Sequence, residues 1–220
     1  MNSDLGRRKA APKTGDEPLV LEGSQIGYTV ADFWTWSVSD LLSNATRGRF
    51  AEFIVGTAIS IDPNNLREEW DAYDLVSSTG TKVEVKSAAY LQSWGQQRYS
   101  SISFSIKAGR AWEGEGDQQR RGTARRHAGV YVFCLLKHKD QATVDPLKME
   151  QWEFYVVSTH VLNDERPSQS TISLNSLRKI AEPTDYSQVG KRIELANGKI
   201  KYTDNTGYTP TPANRQARGA

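Results

Sequence analysis

The sequence predicts an α/β fold in which a central mixed β-sheet is flanked by helices. Three features of the 220-residue chain support this prediction: apolar residues at helical spacing between residues 41 and 60, two strand-like segments joined by a turn between residues 71 and 88, and an unbroken apolar run at 129–136. Helices mixed with strands, some of them paired as hairpins, are typical of a mixed sheet with helices on its faces.

Length and composition fit one domain. With 37% apolar residues, the chain can bury one sizeable core. Residues 1–18 are charged, contain two prolines and lack periodicity, so they predict a flexible N-terminal arm. The same features predict a flexible tail at 206–220 and leave 19–205 as a single domain.

Charge, cysteine content and hydropathy narrow the class of protein. The formal net charge is +2, so nucleic-acid binding would depend on local clusters of basic residues. The single cysteine, Cys134, excludes an intrachain disulfide and lies in the apolar run, where core packing explains it. No apolar segment is long enough to span a bilayer, and the N-terminal residues lack the apolar part of a secretory signal. We therefore expect a cytoplasmic protein without a membrane segment.

The elements follow in order along the chain. A long helix covers residues 41–60, with Ser39 or Asp40 as its N-cap and Pro63 beyond its end. The run at 129–136 lacks alternation, so both of its faces should be covered at the centre of the sheet. The other predicted elements are a hairpin with strands at 71–76 and 82–88, strands at 100–106 and 152–157, a helix at 171–181, and a second hairpin that turns at Asn197-Gly198.

The long helix carries a carboxylate on its packing stripe. This stripe runs through positions 41, 45, 48, 52, 55 and 59. Position 52 is Glu52, and a buried carboxylate is costly unless a cation pairs with it. The alternative is a small rotation of the helix that brings Glu52 to the margin of the stripe, close to Arg49 or solvent.

The first hairpin predicts two carboxylates side by side. Two valines of its second strand should face the core, so Glu84 and Lys86 should point to the opposite face. A three-residue loop with Gly80 in the left-handed conformation places Asp74 opposite Glu84. Like charges on opposed residues, with Cβ atoms about 5 Å apart, destabilise a sheet unless a cation offsets them. The alternative is the ordinary polar face of a solvated hairpin.

A divalent cation held by Asp74 and Glu84 would remove this repulsion. A small number of oxygen ligands, with room for water and phosphate, suits Mg²⁺, with Mn²⁺ as a substitute. Such an ion polarises a phosphoryl oxygen and lowers the pKa of a bound water, which attacks phosphorus in line. Lys86 would position this water and offset charge on the phosphate, and Glu52 would ligate a second ion or orient the water.

The order of these residues resembles a known superfamily. A helix glutamate followed by YDLVSSTGTKVEVKSAA is similar to the core motif of the PD-(D/E)xK, or restriction-endonuclease-like, nucleases over about residues 47–88. Tyr73 stands where that motif has proline, and Asp71 is a second candidate for the aspartate, although strand parity points it to the other face. The resemblance implies a restriction-endonuclease-like fold, Mg²⁺-dependent DNA cleavage, a catalytic Lys86, metal ligands Asp74 and Glu84, and Glu52 as a further catalytic and metal-binding carboxylate.

Basic residues cluster after the hairpin. Six lysine or arginine residues and no acidic residue lie between positions 118 and 139, and a glycine-rich stretch precedes them. Residues 109–126 are therefore predicted to form a loop that closes over DNA, with a solvated loop as the alternative. The candidate DNA-binding residues are Arg110, Arg120, Arg121, Arg125 and Arg126.

These features together predict a Mg²⁺-dependent DNA endonuclease of a restriction, defence or repair type. A nuclease with one centre per chain commonly needs two copies to cut both strands, so a homodimer is a candidate assembly. One alternative is a nucleic-acid-binding module that keeps the fold without turnover. Another is an enzyme for a different substrate, in which the Glu-x-Lys hairpin is a coincidence.

Overall fold

The computed structural model describes residues 10–62, 64, 66, 72–110, 112–113 and 120–198. The predicted tail at 206–220, the first nine residues of the predicted arm, and Asp71 lie outside the described residues, as do the side chains of Arg120 and Arg121. No helix in the described part of the chain has the length and apolar character needed to cross a membrane.

Helices and strands are mixed along the chain. The first half contains β1 (Pro18–Leu21), β2 (Ser24–Thr29), α1 (Val30–Val38), α2 (Asn44–Ala58), β3 (Leu75–Val76), β4 (Lys82–Ala89) and β5 (Ser103–Ser105). The second half contains β6 (Trp112–Glu113), β7 (Arg120–Arg121), β8 (Val130–Leu136), β9 (Trp152–Ser158), α3 (Thr159–Glu165), β10 (Thr171–Ser173), α4 (Leu174–Leu177), β11 (Pro183–Thr184) and α5 (Tyr186–Ala196).

A five-stranded mixed sheet forms the centre of the molecule. Its strand order is β11-β9-β8-β4-β3, with β4 and β8 parallel and the other pairs antiparallel. Every residue of β8 is buried, as the absence of alternation in this run predicts. Cys134 lies in this strand, and burial raises the pKa of its thiol. The prediction of an α/β fold with a central mixed sheet is confirmed.

The two faces of the sheet have separate cores. On one face, Val83 and Val85 pack with residues of α2 and α5, among them Val55 and Ile193. The other face is covered by β5, β10, α3 and α4, whose apolar side chains pack on Tyr131 and other residues of β8 and β9. The predicted inward orientation of the two hairpin valines is therefore confirmed.

The helix before the hairpin begins later than predicted. Its N-cap is Ser43, and it ends at Ala58. The expectation of Ser39 or Asp40 as N-cap is wrong, because Ser39 ends the preceding helix α1 and the Asp40 carboxylate accepts the amides of Leu42 and Ser43 at 3.0 and 3.1 Å in a separate turn. The sequence did carry a signal for α1: Thr29 and Asp32 form a capping box.

Two predictions near the C-terminus are wrong. The expected hairpin at Asn197-Gly198 is instead the end of α5, in which Val189 and Ile193 are buried one helical turn apart. The amides of Asn197 and Gly198 donate to carbonyls of the last turn, and Gly198 has φ +69°, so the Asn-Gly pair terminates a helix here. The expected helix at 171–181 is the strand β10, paired with β5, followed by the short helix α4.

Candidate active site

The turn between β3 and β4 brings Asp74 next to Glu84. The Ser77 amide donates to the Thr81 carbonyl at 2.9 Å, and Leu75 is paired with Val83. Gly80 has φ +81°, the left-handed conformation that glycine adopts without steric cost. The loop therefore has the three residues expected, and the predicted register of the hairpin is confirmed.

The Asp74 side chain continues the hydrogen bonding to β4 at the point where β3 ends. Its backbone amide donates to the Val83 carbonyl at 3.0 Å, and its Oδ2 accepts the amide of Val85 at 2.7 Å. A carboxylate oxygen thus occupies the place of a strand carbonyl. Among the described residues no strand pairs with the outer side of β4 beyond Val83, alongside Glu84 and Lys86, and we call this stretch the open edge of β4.

Glu84 and Lys86 form an ion pair on the same face of β4. The Lys86 Nζ lies 2.5 Å from the Glu84 Oε1, and their side chains are 28% and 20% exposed. Burial raises the pKa of Glu84 above its ordinary value, Lys86 lowers it, and the carboxylates of Asp74 and Glu52 raise it further. The four predicted residues therefore lie within electrostatic reach of one point.

Glu52 lies at the edge of the buried face of α2. The buried positions of this helix include Arg47, Ala51, Ile54 and Val55, whereas Glu52 is half-buried. The predicted stripe is thus rotated by about one residue, and the alternative that placed Glu52 at the stripe's margin describes its position. Because its charge still raises the pKa of Glu84, Glu52 acts on the same site through space.

Sequence reasoning missed Tyr131. This residue is 3% exposed and is aligned with Glu84 in the parallel pairing of β4 and β8. Burial first, and the Glu84 carboxylate second, raise the pKa of Tyr131 to about 12, so the phenol stays neutral beside the carboxylates. Tyr131 carries the one hydroxyl group in the run 129–136, and this polar group within an apolar strand is the sequence signal that identifies it.

The carboxylates fit a metal that takes few protein ligands. No three His, Cys, Asp or Glu side chains come close enough together to form a metal-binding group in the described part of the chain. Mg²⁺ is usually bound through one or two carboxylates, with waters and substrate phosphate as its other ligands. The Asp74 and Glu84 oxygens suit such an ion, and a cage of three carboxylates that includes Glu52 is not formed.

The five predicted DNA-binding arginines fall into three groups. Arg110 and Arg125 are both exposed. Their two segments are adjacent in the fold, because Gly109 and Arg125 form a backbone bridge with hydrogen bonds of 3.0 and 2.8 Å. Arg120 and Arg121 form β7, which pairs with β6. Arg126 is half-buried and is hydrogen-bonded within the fold.

Arg126 holds loops together. All five of its N–H groups have acceptors, four backbone carbonyls and one side-chain amide, so the guanidinium is committed to the fold. We therefore leave Arg126 out of the DNA-binding surface. Its acceptors are Ile106 O at 2.9 Å, Leu162 O at 3.3 Å, Asn163 Oδ1 at 2.7 Å, Arg166 O at 2.8 Å and Gln169 O at 3.4 Å.

Comparison with known proteins gives one finding on the family. The family model described as Bacteriophage T4 endonuclease IV matches residues 23–176, more than half of the chain. This match includes the whole candidate site, from Glu52 to Tyr131. A comparison with curated proteins finds no match.

Proposed function

The chain belongs to the bacteriophage T4 endonuclease IV family, and on this premise we propose that it is a Mg²⁺-dependent endonuclease that hydrolyses phosphodiester bonds in DNA. The observation that carries this proposal is the grouping of Asp74, Glu84 and Lys86 at the open edge of β4. Because no strand of the described residues fills this edge, we place the phosphate group there, beside the carboxylates.

The chain's own residues have distinct parts in the proposed reaction. Bound Mg²⁺, with Mn²⁺ as a substitute, would polarise the phosphate and help to ionise the attacking water. Asp74 and Glu84 would hold the ion, and the Val85 amide fixes the Asp74 carboxylate in place. Lys86 would orient the water and offset negative charge that develops on the phosphate. Glu52 would add negative charge at the site's margin and orient water.

We also propose the restriction-endonuclease-like fold for this domain. Three features support it: the helix that carries Glu52, the hairpin that carries Asp74 and the Glu84-x-Lys86 strand, and the parallel strand β8 that follows in the same sheet. The exposed Arg110 and Arg125, with Arg120 and Arg121 of β7, would contact DNA phosphates around this site.

Cleavage of supercoiled plasmid tests the proposed activity. We expect nicked or linear product with Mg²⁺ or Mn²⁺ and none with EDTA, and we expect Asp74→Asn to abolish product formation. Asp164→Asn makes the same chemical change at an exposed residue and should cut like the wild type. Cleavage that persists in EDTA, or at full rate in Asp74→Asn, would contradict the proposal. Salt-sensitive DNA binding without cleavage under any divalent ion would instead select the non-catalytic binding module.

A homodimer is the second part of the proposal, and the N-terminal unit (residues 18–38) supports it. This unit contains β1, β2 and α1, and none of its residues is buried. The two-stranded hairpin packs on α1, yet none of these residues becomes buried, so a partner surface would add stability. Its exposed apolar side chains are Leu19, Val20, Leu21, Ile26, Tyr28, Phe33, Trp34, Trp36 and Val38.

The exposed apolar area of this unit matches a dimer interface. A whole aromatic side chain presents about 150–250 Å², so the four aromatic side chains of this unit, which are 39–84% exposed, present on the order of 500 Å² per copy, and the five aliphatic side chains add to this area. A stable protein interface buries about 800 Å² per partner. We therefore propose that a second copy of the chain covers this surface. It would also supply the second catalytic centre that cleavage of both DNA strands requires.

Sedimentation equilibrium tests the dimer. We expect the wild type to be dimeric at micromolar concentration. Trp36→Ser removes the most exposed of these side chains, at 84%, and should raise the dissociation constant of the dimer at least tenfold. Leu147→Ser is the control, because Leu147 is 65% exposed outside the N-terminal unit and should leave the dimer intact. A wild type that stays monomeric over the accessible concentration range would refute this assembly.

A further inference from the structure

A cavity lies beside the proposed catalytic centre. Its volume is about 280 Å³, and polar side chains of four segments line it: the N-terminal turn of α2, β4, the loop after β4, and residues 100–103. The β4 lining begins at Ser87, the residue that follows Lys86 in the strand. Because lining residues come from both sides of the sheet, the cavity spans the open edge of β4.

A buried arginine forms part of the wall. Arg47 is 3% exposed, and each of its hydrogen-bond acceptors among the described residues is neutral. Four of its five N–H groups are used in this way, and the fifth has no acceptor in the described part of the chain. The acceptors are Ser87 Oγ at 3.3 Å, Leu42 O at 2.7 Å, Gln92 Oε1 at 3.1 Å and Asn44 Oδ1 at 2.5 Å.

A buried cation whose hydrogen-bond acceptors are neutral favours an anion nearby. Removal of a charge from water is costly, and neutral hydrogen bonds solvate the guanidinium without neutralising it. Burial lowers the pKa of Arg47, and the Asp40 carboxylate raises it through space. Among the described residues, no carboxylate forms an ion pair with Arg47, so in this part of the chain Asp40 offsets its charge from a distance.

We propose that this cavity is a subsite for a backbone phosphate of the substrate adjacent to the cleaved bond, with Arg47 as its positive centre. This proposal rests on the proposed function, because it assumes that a DNA strand runs past β4. The side chains of Asn44 and Gln92 hold the guanidinium in place. Trp94, at the rim and 53% exposed, packs against the neighbouring sugar or base.

Two serines of β5 provide a matched pair of variants. Ser103 and Ser105 are both exposed and two residues apart on the same strand, but only Ser103 lines the cavity. Ser103→Glu places a negative charge at the mouth of the cavity and keeps the buried Arg47, so the fold is preserved. Ser105→Glu adds the same charge to the protein outside the cavity.

Fluorescence anisotropy with a labelled oligonucleotide in EDTA measures binding without cleavage. We expect Ser103→Glu to weaken DNA binding at least fivefold and Ser105→Glu to change it less than twofold. A methylphosphonate in place of the phosphate next to the cleaved bond should weaken DNA binding by the wild type. Ser103→Glu should bind this modified DNA with nearly the same affinity as the wild type does.

The outcomes separate the subsite from the activity. Equal binding by the two serine variants would overturn the subsite even if the wild type cuts DNA. The expected difference between the variants, in a protein that binds DNA and does not cut it, would support the subsite and refute the endonuclease. No DNA binding by the wild type would overturn both.

Discussion

Replacement of Lys86 by alanine should reduce the rate of DNA cleavage by a factor of about 10²–10³. The Lys86 ammonium lies 2.5 Å from the Glu84 carboxylate and is 28% exposed, so it is held at the site while it can still reach a substrate. Its loss removes the positive charge that would offset the phosphate and position the water. It also leaves the half-buried Glu84 without its cation, which raises the pKa of that carboxyl further.

Single-turnover plasmid cleavage at saturating enzyme and fixed Mg²⁺ is the measurement. Lys82→Ala is the control, because Lys82 is an exposed lysine of the same strand whose ammonium lies over the Tyr73 ring, 4.7 Å from its centroid. We expect Lys82→Ala to cut within threefold of the wild-type rate and Lys86→Arg to retain part of it. If Lys86→Ala cuts as fast as the wild type, Lys86 has no part in catalysis.

Replacement of Arg126 by methionine should lower the free energy of unfolding by about 3 kcal/mol, since five acceptors, three of them in partly buried hydrogen bonds, lose a charged donor at once. The methionine fills a similar volume but leaves the carbonyls of Ile106, Leu162 and Arg166 without this partner. These carbonyls belong to the loop before β6 and to the end of α3, which would separate.

Urea denaturation, followed by circular dichroism, measures this effect. Arg110→Met is the matched control, because Arg110 is an exposed arginine next to the Gly109–Arg125 bridge, and its substitution should change stability by less than about 0.5 kcal/mol. Arg110→Met should instead weaken DNA binding, with a smaller dependence of affinity on salt. Equal destabilisation by the two variants would show that Arg126 does not hold these loops.

The hairpin site was predictable because its information is local. The turn, the glycine at position 80 and the alternation of valines with charged residues all lie within about ten residues, and they fix the register without knowledge of the rest of the chain. The central strand β8 was predictable for a similar reason, since a strand with both faces buried needs no alternation.

Other features depended on partners that are distant in sequence. The Arg126 acceptors are 20 to 43 residues away, and Arg47 contacts Ser87 and Gln92 across 40 and 45 residues. No local pattern distinguishes these two arginines, which are hydrogen-bonded within the fold, from arginines that are exposed on the surface. The Asn197-Gly198 pair was misassigned because the same dipeptide suits a hairpin turn and a helix end, and the choice depends on what packs upstream.

The three-residue loop between β3 and β4 has an evolutionary consequence. Strand side chains alternate between faces, so an insertion or deletion of one residue in this loop would slip the pairing and turn the aspartate at position 74 away from Glu84. Related chains should therefore vary freely in the identity of the loop residues while they keep their number, with a glycine at the last position. Gene alignments would show this as a gap-free window around an otherwise variable segment.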